Sequence, residues 1–329
     1  MRLASILKRT SLIAMAAHLL VPSMTAHAQS DTYPSRPIQI VVPYAAGGIT
    51  DQSSRIISEA LARALKQPVV IENRPGGGGR IGANAVARME PDGYRLLLTT
   101  NGTHTYMAVT EESLPYDPLE DFTPISLLAS YGFLMVANPA VPANNVKELI
   151  DYAKKNPGKL SYASSGPGGG PHFAGEVFKY MADIDMLHVP YKGTGPGLLA
   201  VAAGHTDIVF AGEAKPFIDS EKVKFLGTTS ASRDPRYPEK PTIGESGLEG
   251  YDLTSWIGLY GPRVLPEEIQ KKLSEAVSYA MQDPAVRERL STLGLVPVGN
   301  SPEELVDHIK AETAKLRTVA DNVPSLVQK

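Results

Sequence analysis

The sequence contains no cysteine among its 329 residues. This absence excludes disulfides, thiol nucleophiles, iron–sulfur clusters and thiolate zinc sites. The chain has no excess of positive charge either, because 32 Lys and Arg are set against 35 Asp and Glu, a formal net charge of −3. Without a basic surface that neutralises phosphates, a nucleic-acid partner is not expected.

Common catalytic motifs are missing as well. Neither the G-x-S-x-G nucleophile turn nor the H-E-x-x-H zinc motif occurs in the chain. No pair of carboxylates is marked by its spacing, and the one close pair of histidines is His18 and His27. We therefore expect no catalytic residues, no metal site and no cofactor.

Long apolar runs are also missing, and the stretch from Leu12 to Val21 is too short to span a bilayer. Basic residues precede this stretch, and Ala26-His27-Ala28 follows it. The order is that of a secretory signal peptide over residues 1–28, cleaved after Ala28, which places the mature protein in the bacterial periplasm. The alternative is a disordered or membrane-anchoring N-terminus.

The rest of the chain has globular proportions, with 43% hydrophobic and 20% charged residues. Apolar runs alternate with amphipathic stretches, which predicts an α/β fold made of two units without a linker between them. The first three strands and the helices between them predict a parallel sheet covered by helices. The expected strands are 38–42, 69–71, 95–100, 133–136, 160–163, 186–189, 208–210, 222–228 and 256–260. The expected helices are 51–66, 81–89, 145–155, 173–181, 196–203, 266–281, 284–293 and 302–320. The cleft between two such units is the natural ligand site.

Three glycine-rich segments each leave a strand and enter a helix, at residues 42–51, 162–172 and 188–196. Glycines let the backbone approach a ligand, and the helix that follows adds its positive dipole end, so each junction suits an anion. Asp51 is interpreted as a helix cap or as a direct ligand contact. His172 is either a structural hydrogen-bond partner or a ligand contact. A fourth run, Gly76 to Gly79, lacks the Lys-Ser/Thr of a phosphate loop and is interpreted as a structural turn.

These segments together resemble the periplasmic receptors of tripartite tricarboxylate transporters, often called Bug receptors. The resemblance runs from Tyr33 to Leu316. It rests on Tyr33-Pro34-Ser35-Arg36-Pro37-Ile38, Pro43-Tyr44 with Gly47-Gly48 and Asp51, Asn73-Arg74-Pro75-Gly76, Pro91-Asp92-Gly93-Tyr94, Tyr116-Asp117-Pro118 with Asp121-Phe122, Pro157-Gly158-Lys159-Leu160, Tyr162-Ala163-Ser164-Ser165-Gly166 with His172, and His188-Val189-Pro190-Tyr191-Lys192-Gly193.

The resemblance implies a two-lobed periplasmic-binding-protein fold of type II, a Venus flytrap in which each lobe is a β-sheet flanked by helices. Residues 29–130 with 252–329 would form the first lobe, and residues 131–251 the second. A small organic carboxylate would lie in the cleft between them. The resemblance implies a set of ligand-binding residues, some of which contact the carboxylate and others the remainder of the ligand. They are Tyr44, Ala46, Gly47, Gly48, Asp51, Thr100, Asn101, Ser164, Ser165, Gly166, Gly168, Gly169, His172, Tyr191, Thr194 and Glu213.

The chain departs from the family pattern at two places. Gly169-Gly170 stands where a small polar residue is usual, and Ala200-Val201 stands where an Asp-Leu pair is usual. The missing acid favours a ligand without an amine, an aliphatic or aromatic mono- or dicarboxylate, unless Glu213 faces the cleft. The resemblance further implies a monomer that delivers its ligand to the membrane permease subunits of a tripartite tricarboxylate transporter. A chemosensory adaptor that presents the ligand to a sensor kinase, and an enzyme with His172 as base, are the alternatives.

Overall fold

The computed structural model describes residues 33–323 and Leu326. The predicted signal peptide lies outside these residues. From Pro34 onward the chain forms one compact unit that is built around two mixed β-sheets. Within the described residues, no helix is long and apolar enough to cross a membrane.

The first sheet has six strands in the order β11-β4-β10-β3-β1-β2. Strands β1, β2 and β3 pair in parallel, whereas β10 pairs antiparallel with both β3 and β4. The short strand β11 also runs antiparallel to β4. Its strands are β1 (Ile38–Val42), β2 (Val69–Asn73), β3 (Arg95–Thr100), β4 (Phe122–Gly132), β10 (Thr254–Pro262) and β11 (Val296–Pro297).

The second sheet has five strands in the order β7-β6-β8-β5-β9. Strand β6 pairs in parallel with β7 and β8, and β5 is antiparallel to β8 and β9. The strands are β5 (Leu134–Ala137), β6 (Leu160–Ser164), β7 (Met186–Pro190), β8 (Ile208–Ala211) and β9 (Lys224–Thr228).

Ten helices connect and cover the strands of the described chain. They are α1 (Ile49–Leu65), α2 (Arg80–Ala87), α3 (Met107–Thr110), α4 (Val146–Lys155), α5 (Gly170–Ala182), α6 (Thr194–Ala202), α7 (Lys215–Asp219), α8 (Glu267–Gln282), α9 (Pro284–Thr292) and α10 (Pro302–Asn322). A 3₁₀ turn, Gly77–Gly79, precedes α2, and a π-helical turn, Gly102–Tyr106, precedes α3. Helix α10 begins with a capping box, in which Ser301 and Glu304 each bond the other's backbone amide.

Each sheet has its own apolar core, because its strands and helices turn their hydrophobic faces toward each other. Val41, Leu97 and Trp256 are buried with Leu305 and Ile309 of α10 against the first sheet. A separate cluster beside the second sheet contains Val136, Ala163, Leu198, Val209 and Phe225.

Two passages of the chain connect the sheets. Strand β4 continues through Phe133 into β5, and the chain returns after β9 through residues 229–253 into β10. The passages are tied together by Thr229. Its hydroxyl accepts a hydrogen bond from the Phe133 amide at 2.9 Å and donates one to the Leu253 carbonyl at 2.9 Å. Its backbone N–H and C=O pair with Phe133 and Leu253 as well.

The expected elements are present, with three differences. Strand β4, the short strand β11 and the short helices α3 and α7 were not predicted. Helices α1, α5 and α6 begin two to three residues earlier than expected, directly at their glycine turns. The first three strands form the expected parallel set, but the sheet as a whole is mixed because β4, β10 and β11 run antiparallel.

Candidate functional site

The turn between β1 and α1 is held by Asp51, in the first turn of the helix. Its carboxylate accepts hydrogen bonds from the Gly47 amide at 2.9 Å, from the Asn73 side chain at 3.0 Å, and from Arg55 at 2.8 and 3.2 Å. Burial raises the pKa of this carboxyl, but the bonds from Arg55, Gly47 and Asn73 outweigh it and leave the pKa lowered. Asp51 is therefore ionised and fully engaged in shaping the loop.

The turn between β6 and α5 is held by Ser164 and His172. The Ser164 hydroxyl lies 2.6 Å from His188 Nε2 and accepts a hydrogen bond from the Gly166 amide at 3.0 Å. His172 Nδ1 accepts from the Gly168 amide at 3.3 Å. Burial, with the charge of nearby His188, lowers the pKa of His172 to about 4. The ring is therefore neutral at neutral pH, which suits the acceptor role of Nδ1.

Three helix N-termini meet where these loops approach each other. The N-cap residues of α1, α5 and α6 are Gly48, Gly169 and Gly193, and none of the three helices has a side-chain cap. The first amides of a helix have no partner within it, and each N-terminus carries roughly half a positive charge. Three such ends therefore create a local preference for an anion that needs no basic side chain.

The loops of the two sheets touch through backbone. A Cβ added at Gly78 would overlap the carbonyl oxygen of Pro167, and one at Gly166 would lie 2.8 Å from the Gly78 nitrogen. A Cβ at Gly193 would lie 3.0 Å from the Ala45 Cβ. Glycine is required at these positions because the two walls come closer than a side chain permits.

A cavity of about 20 Å³ lies between the walls, room for roughly one water molecule. The first residues of all three helices line it, together with Tyr44, Ser165 and two aromatic residues of the β4–β5 passage. The lining residues are Tyr44, Ala45, Gly48, Ile49, Thr50, Thr100, Tyr131, Phe133, Ser165, Gly170, Pro171 and Thr194. The Tyr44 hydroxyl is fixed by Thr100 Oγ1 at 2.7 Å, and burial raises the pKa of that phenol.

Glu213 lies beside this cavity, in the loop after β8. A Cβ added at Gly48 would lie 3.7 Å from Glu213 Oε1 and 3.4 Å from the Thr194 hydroxyl, so the carboxyl group sits at the start of α1. Both of its oxygens are buried, and neither makes a hydrogen bond of ordinary geometry. Burial raises the pKa of Glu213, although Thr194, the Ile49 amide and Arg236 act in the opposite direction.

The structure brings part of the predicted residue set to the cavity. Tyr44, Gly48, Thr100, Ser165 and Thr194 line it. Residues that line the cavity but were not predicted as ligand-binding are Ala45, Ile49, Thr50, Tyr131, Phe133, Gly170 and Pro171. A glycine-rich strand–helix junction indicates Thr50 and Gly170, but no local pattern marks Tyr131 and Phe133.

Other predicted residues are placed around the cavity rather than on it. Ala46 and Gly47 are exposed, whereas the backbone of Gly166, Gly168 and Gly169 forms the loop behind the cavity. Tyr191 is half-buried and packs against the core of the second sheet. Asn101 does not line the cavity, and its side chain bonds Glu312, Ser255 and the Thr254 carbonyl.

Two mixed sheets joined by paired passages, with a cleft over three helix N-termini, define the fold class of periplasmic binding proteins. Residues 53–323 match the family described as the tripartite tricarboxylate transporter family receptor. The chain belongs to this family, which is a family of solute-binding receptors and not of enzymes.

Solved structures of similar proteins agree. The periplasmic binding protein BugD is 34% identical with a TM-score of 0.86, over 90% of this chain and 100% of that chain. An R. palustris protein solved with adipate is 33% identical with a TM-score of 0.86, over 89% and 98% of the two chains. MatC from Rhodopseudomonas palustris, solved with malate, is 34% identical with a TM-score of 0.84, over 87% and 99%.

Proposed function

We propose that this receptor binds a small organic mono- or dicarboxylate, aliphatic or aromatic, in the cleft between its two sheets. The observation that carries the proposal is the meeting of three helix N-termini, α1, α5 and α6, whose N-cap glycines provide no side-chain acceptor. The amides of these first turns lie around one small volume, where the Ile49 amide also faces Glu213. Hydrogen bonds to a charged acceptor are the strong ones.

One ligand carboxylate would be held by the amides after Gly48 and Gly169 and by the hydroxyls of Ser165 and Thr194. These groups line the same cavity and come from both sheets. Asp51, Ser164 and His172 would act indirectly, because their polar atoms are engaged in shaping the two loops. Thr100 and the aromatic rings of Tyr131 and Phe133 would face the remainder of the ligand.

Binding would require the two walls to part. A cavity of about 20 Å³ is far below the size of ligand pockets, roughly 300–1000 Å³. A ligand between the walls contacts both only when they close, so it favours the closed form. The two lobes would move about the Phe133–Thr229–Leu253 ties. The predicted lobe bounds, at residues 130–131 and 251–252, stay a prediction.

Two relatives support the ligand class, since they were solved with adipate and with malate. For this chain the family membership suggests a periplasmic receptor, released from its signal peptide after Ala28 and acting as a monomer. It would deliver its ligand to the membrane subunits of a tripartite tricarboxylate transporter. A sensing role, with the closed receptor docking on a sensor kinase, is the second candidate that the same cleft permits.

A thermal-shift screen of the mature protein, refolded to remove carried-over ligand, tests the proposal. The panel would contain acetate, succinate, adipate, malate, benzoate and phthalate, with glucose and putrescine as controls that lack a carboxylate. A ligand at 100 times its Kd stabilises the folded state by about 2.7 kcal/mol, which corresponds to several degrees. Stabilisation by carboxylates alone supports the proposal. Stabilisation by the controls alone, or by nothing, contradicts it.

A further inference from the structure

Glu213 is a buried acid that no ordinary structural role accounts for. It is 9% exposed, and neither buried carboxyl oxygen makes a hydrogen bond of ordinary geometry, although the Thr194 hydroxyl and the Ile49 amide lie beside them and favour the ionised form. A buried polar group without a partner carries a desolvation cost, and an ionised one carries more. Such a group is retained where something else provides the partner.

The charged and titratable groups around Glu213 do not provide one. Arg236 exerts an attractive field, but it is already paired with Asp234 through two hydrogen bonds of 2.9 and 2.6 Å. Its Nη1 donates to the carbonyls of Gly212 and Leu293. On α1, Asp51 and Arg55 are paired with each other. Tyr131 of β4 is a neutral phenol whose pKa is raised, mainly by burial, and α6 contains no titratable residue.

The Glu213 carboxyl group lies beside the position proposed for the ligand carboxylate. Oε1 lies at the N-cap residue of α1, on the side of the Thr194 hydroxyl. An ionised Glu213 next to a ligand carboxylate would place two like charges in one buried site, which forces one of the two groups to keep a proton. The neutral form removes this repulsion and turns Glu213 into a hydrogen-bond donor.

We propose that Glu213 acts as a neutral carboxylic acid that donates a hydrogen bond to the ligand carboxylate, so that the receptor takes up one proton with each ligand. The proton comes from solvent, and no bond is broken except the hydrogen bonds to water. In the open cleft water reaches Glu213 and favours its ionised form. Closure on an anion removes that water and favours the acid. This inference rests on the proposed carboxylate-receptor function.

The sign of the effect follows from linkage. Because the bound state holds the proton more tightly than the free state, affinity is highest at low pH and falls as pH rises from about 5 upward. The limiting slope is about tenfold in Kd per pH unit for one proton. Burial already acts in this direction in the closed structure, since it raises the pKa of Glu213 above the usual 4.5.

The test is isothermal titration calorimetry in HEPES and in Tris, two buffers with different ionisation enthalpies. The probe is whichever of succinate, adipate, malate, benzoate or aspartate stabilises the protein most. We expect wild type to take up close to one proton per ligand. Glu213→Gln keeps a donor of the same shape, so it should still bind but take up no proton, with an affinity independent of pH. Glu239→Gln, the same change at an exposed site, should behave as wild type.

Three outcomes would overturn the inference. The first is binding by wild type without proton uptake. The second is a preference for aspartate over succinate that Glu213→Gln abolishes, which would show an ionised Glu213 paired with the ligand ammonium. The third is a panel that stabilises neither wild type nor Glu239→Gln, which would remove the carboxylate-receptor function itself and this inference with it.

Discussion

The close approach of two glycine-rich loops predicts that Gly78→Ala impairs ligand binding without unfolding the protein. Gly78 has a φ of +64° and lies in the 3₁₀ turn before α2. A Cβ at this position would overlap the Pro167 carbonyl oxygen of the opposite wall and lie 2.8 Å from Met107 Cε. Met107 can adjust, but the Pro167 backbone cannot without moving its loop. The added methyl group therefore opposes closure of the cleft.

Two contributions to the cost can be separated. A left-handed conformation costs a non-glycine residue about 1–2 kcal/mol, and this cost is the same in the open and closed forms. The overlap with Pro167 exists only when the walls meet, and overpacking typically costs about 1–3 kcal/mol. Since 1.4 kcal/mol is a factor of ten, affinity should fall about 5- to 150-fold. The melting temperature of the ligand-free protein should fall by only a few degrees.

A matched control isolates the second contribution. Gly250 has a φ of +83° and no atom within 4 Å of an added Cβ, so Gly250→Ala bears the backbone cost alone. Calorimetric titration with the best carboxylate of the screen should show weakened binding for Gly78→Ala and unchanged binding for Gly250→Ala. Because the chain lacks cysteine, fluorophores on Ile81→Cys and Leu187→Cys can report closure directly. Wild-type affinity and wild-type closure in Gly78→Ala would refute the idea that this contact belongs to the ligand-bound form.

Three further changes follow from other contacts. Ser165→Ala should weaken carboxylate binding about tenfold or more at an unchanged melting temperature, because Ser165 lines the cavity. Ser164→Ala should instead lower the melting temperature, because the Ser164 hydroxyl holds the loop between β6 and α5. Thr229→Val should lower the melting temperature by several degrees, because the buried Phe133 amide loses its acceptor at a cost of about 1–3 kcal/mol. Burial lowers the pKa of His104 to about 3. The contribution of this residue to the free energy of unfolding is therefore complete above about pH 6.5 and declines below it, by up to about 1.4 kcal/mol per pH unit. His104→Phe should make the decline less steep in pH-dependent thermal melts, with the contribution of buried His172 remaining, and a decline as steep as in wild type would contradict this assignment.

The strands that the sequence predicts best are short apolar runs that end at a turn, as in Ile38–Val42. This strand is buried on both faces, so a nearly continuous run of apolar residues marks it. Strand β4 lacks this signal. It contains Pro124 and the polar residues Thr123, Ser126 and Ser130, and its register against β10 shifts twice. Its pairing is therefore decided by strand β10, far along the chain, rather than by its own pattern.

The candidate site also has one part that the local sequence predicts and another part that it does not. The three strand–helix junctions are local features, and glycine runs after apolar strands predict them directly. The contribution of Tyr131 and Phe133 depends on where β4 ends, which no local pattern reveals. Asn101 has the residue type and position of a ligand contact, yet it bonds Glu312, 211 residues further along the chain. Gly78 was correctly interpreted as part of a turn, but its contact with the opposite wall is a long-range property.

The use of backbone rather than side chains for the anion has a consequence for specificity. Only a change to proline removes an amide at the start of α1, α5 or α6. On the proposed function, the preference for a carboxylate therefore depends on the backbone more than on any one side chain. On the proposed function, the side chains beside those amides are then free to change with the ligand. Relatives at 33% and 34% identity, solved with adipate and with malate, share this fold. An acid such as Glu213, at the edge of the common site, is therefore the kind of position where a receptor with an unchanged backbone acquires a different ligand or a dependence on pH.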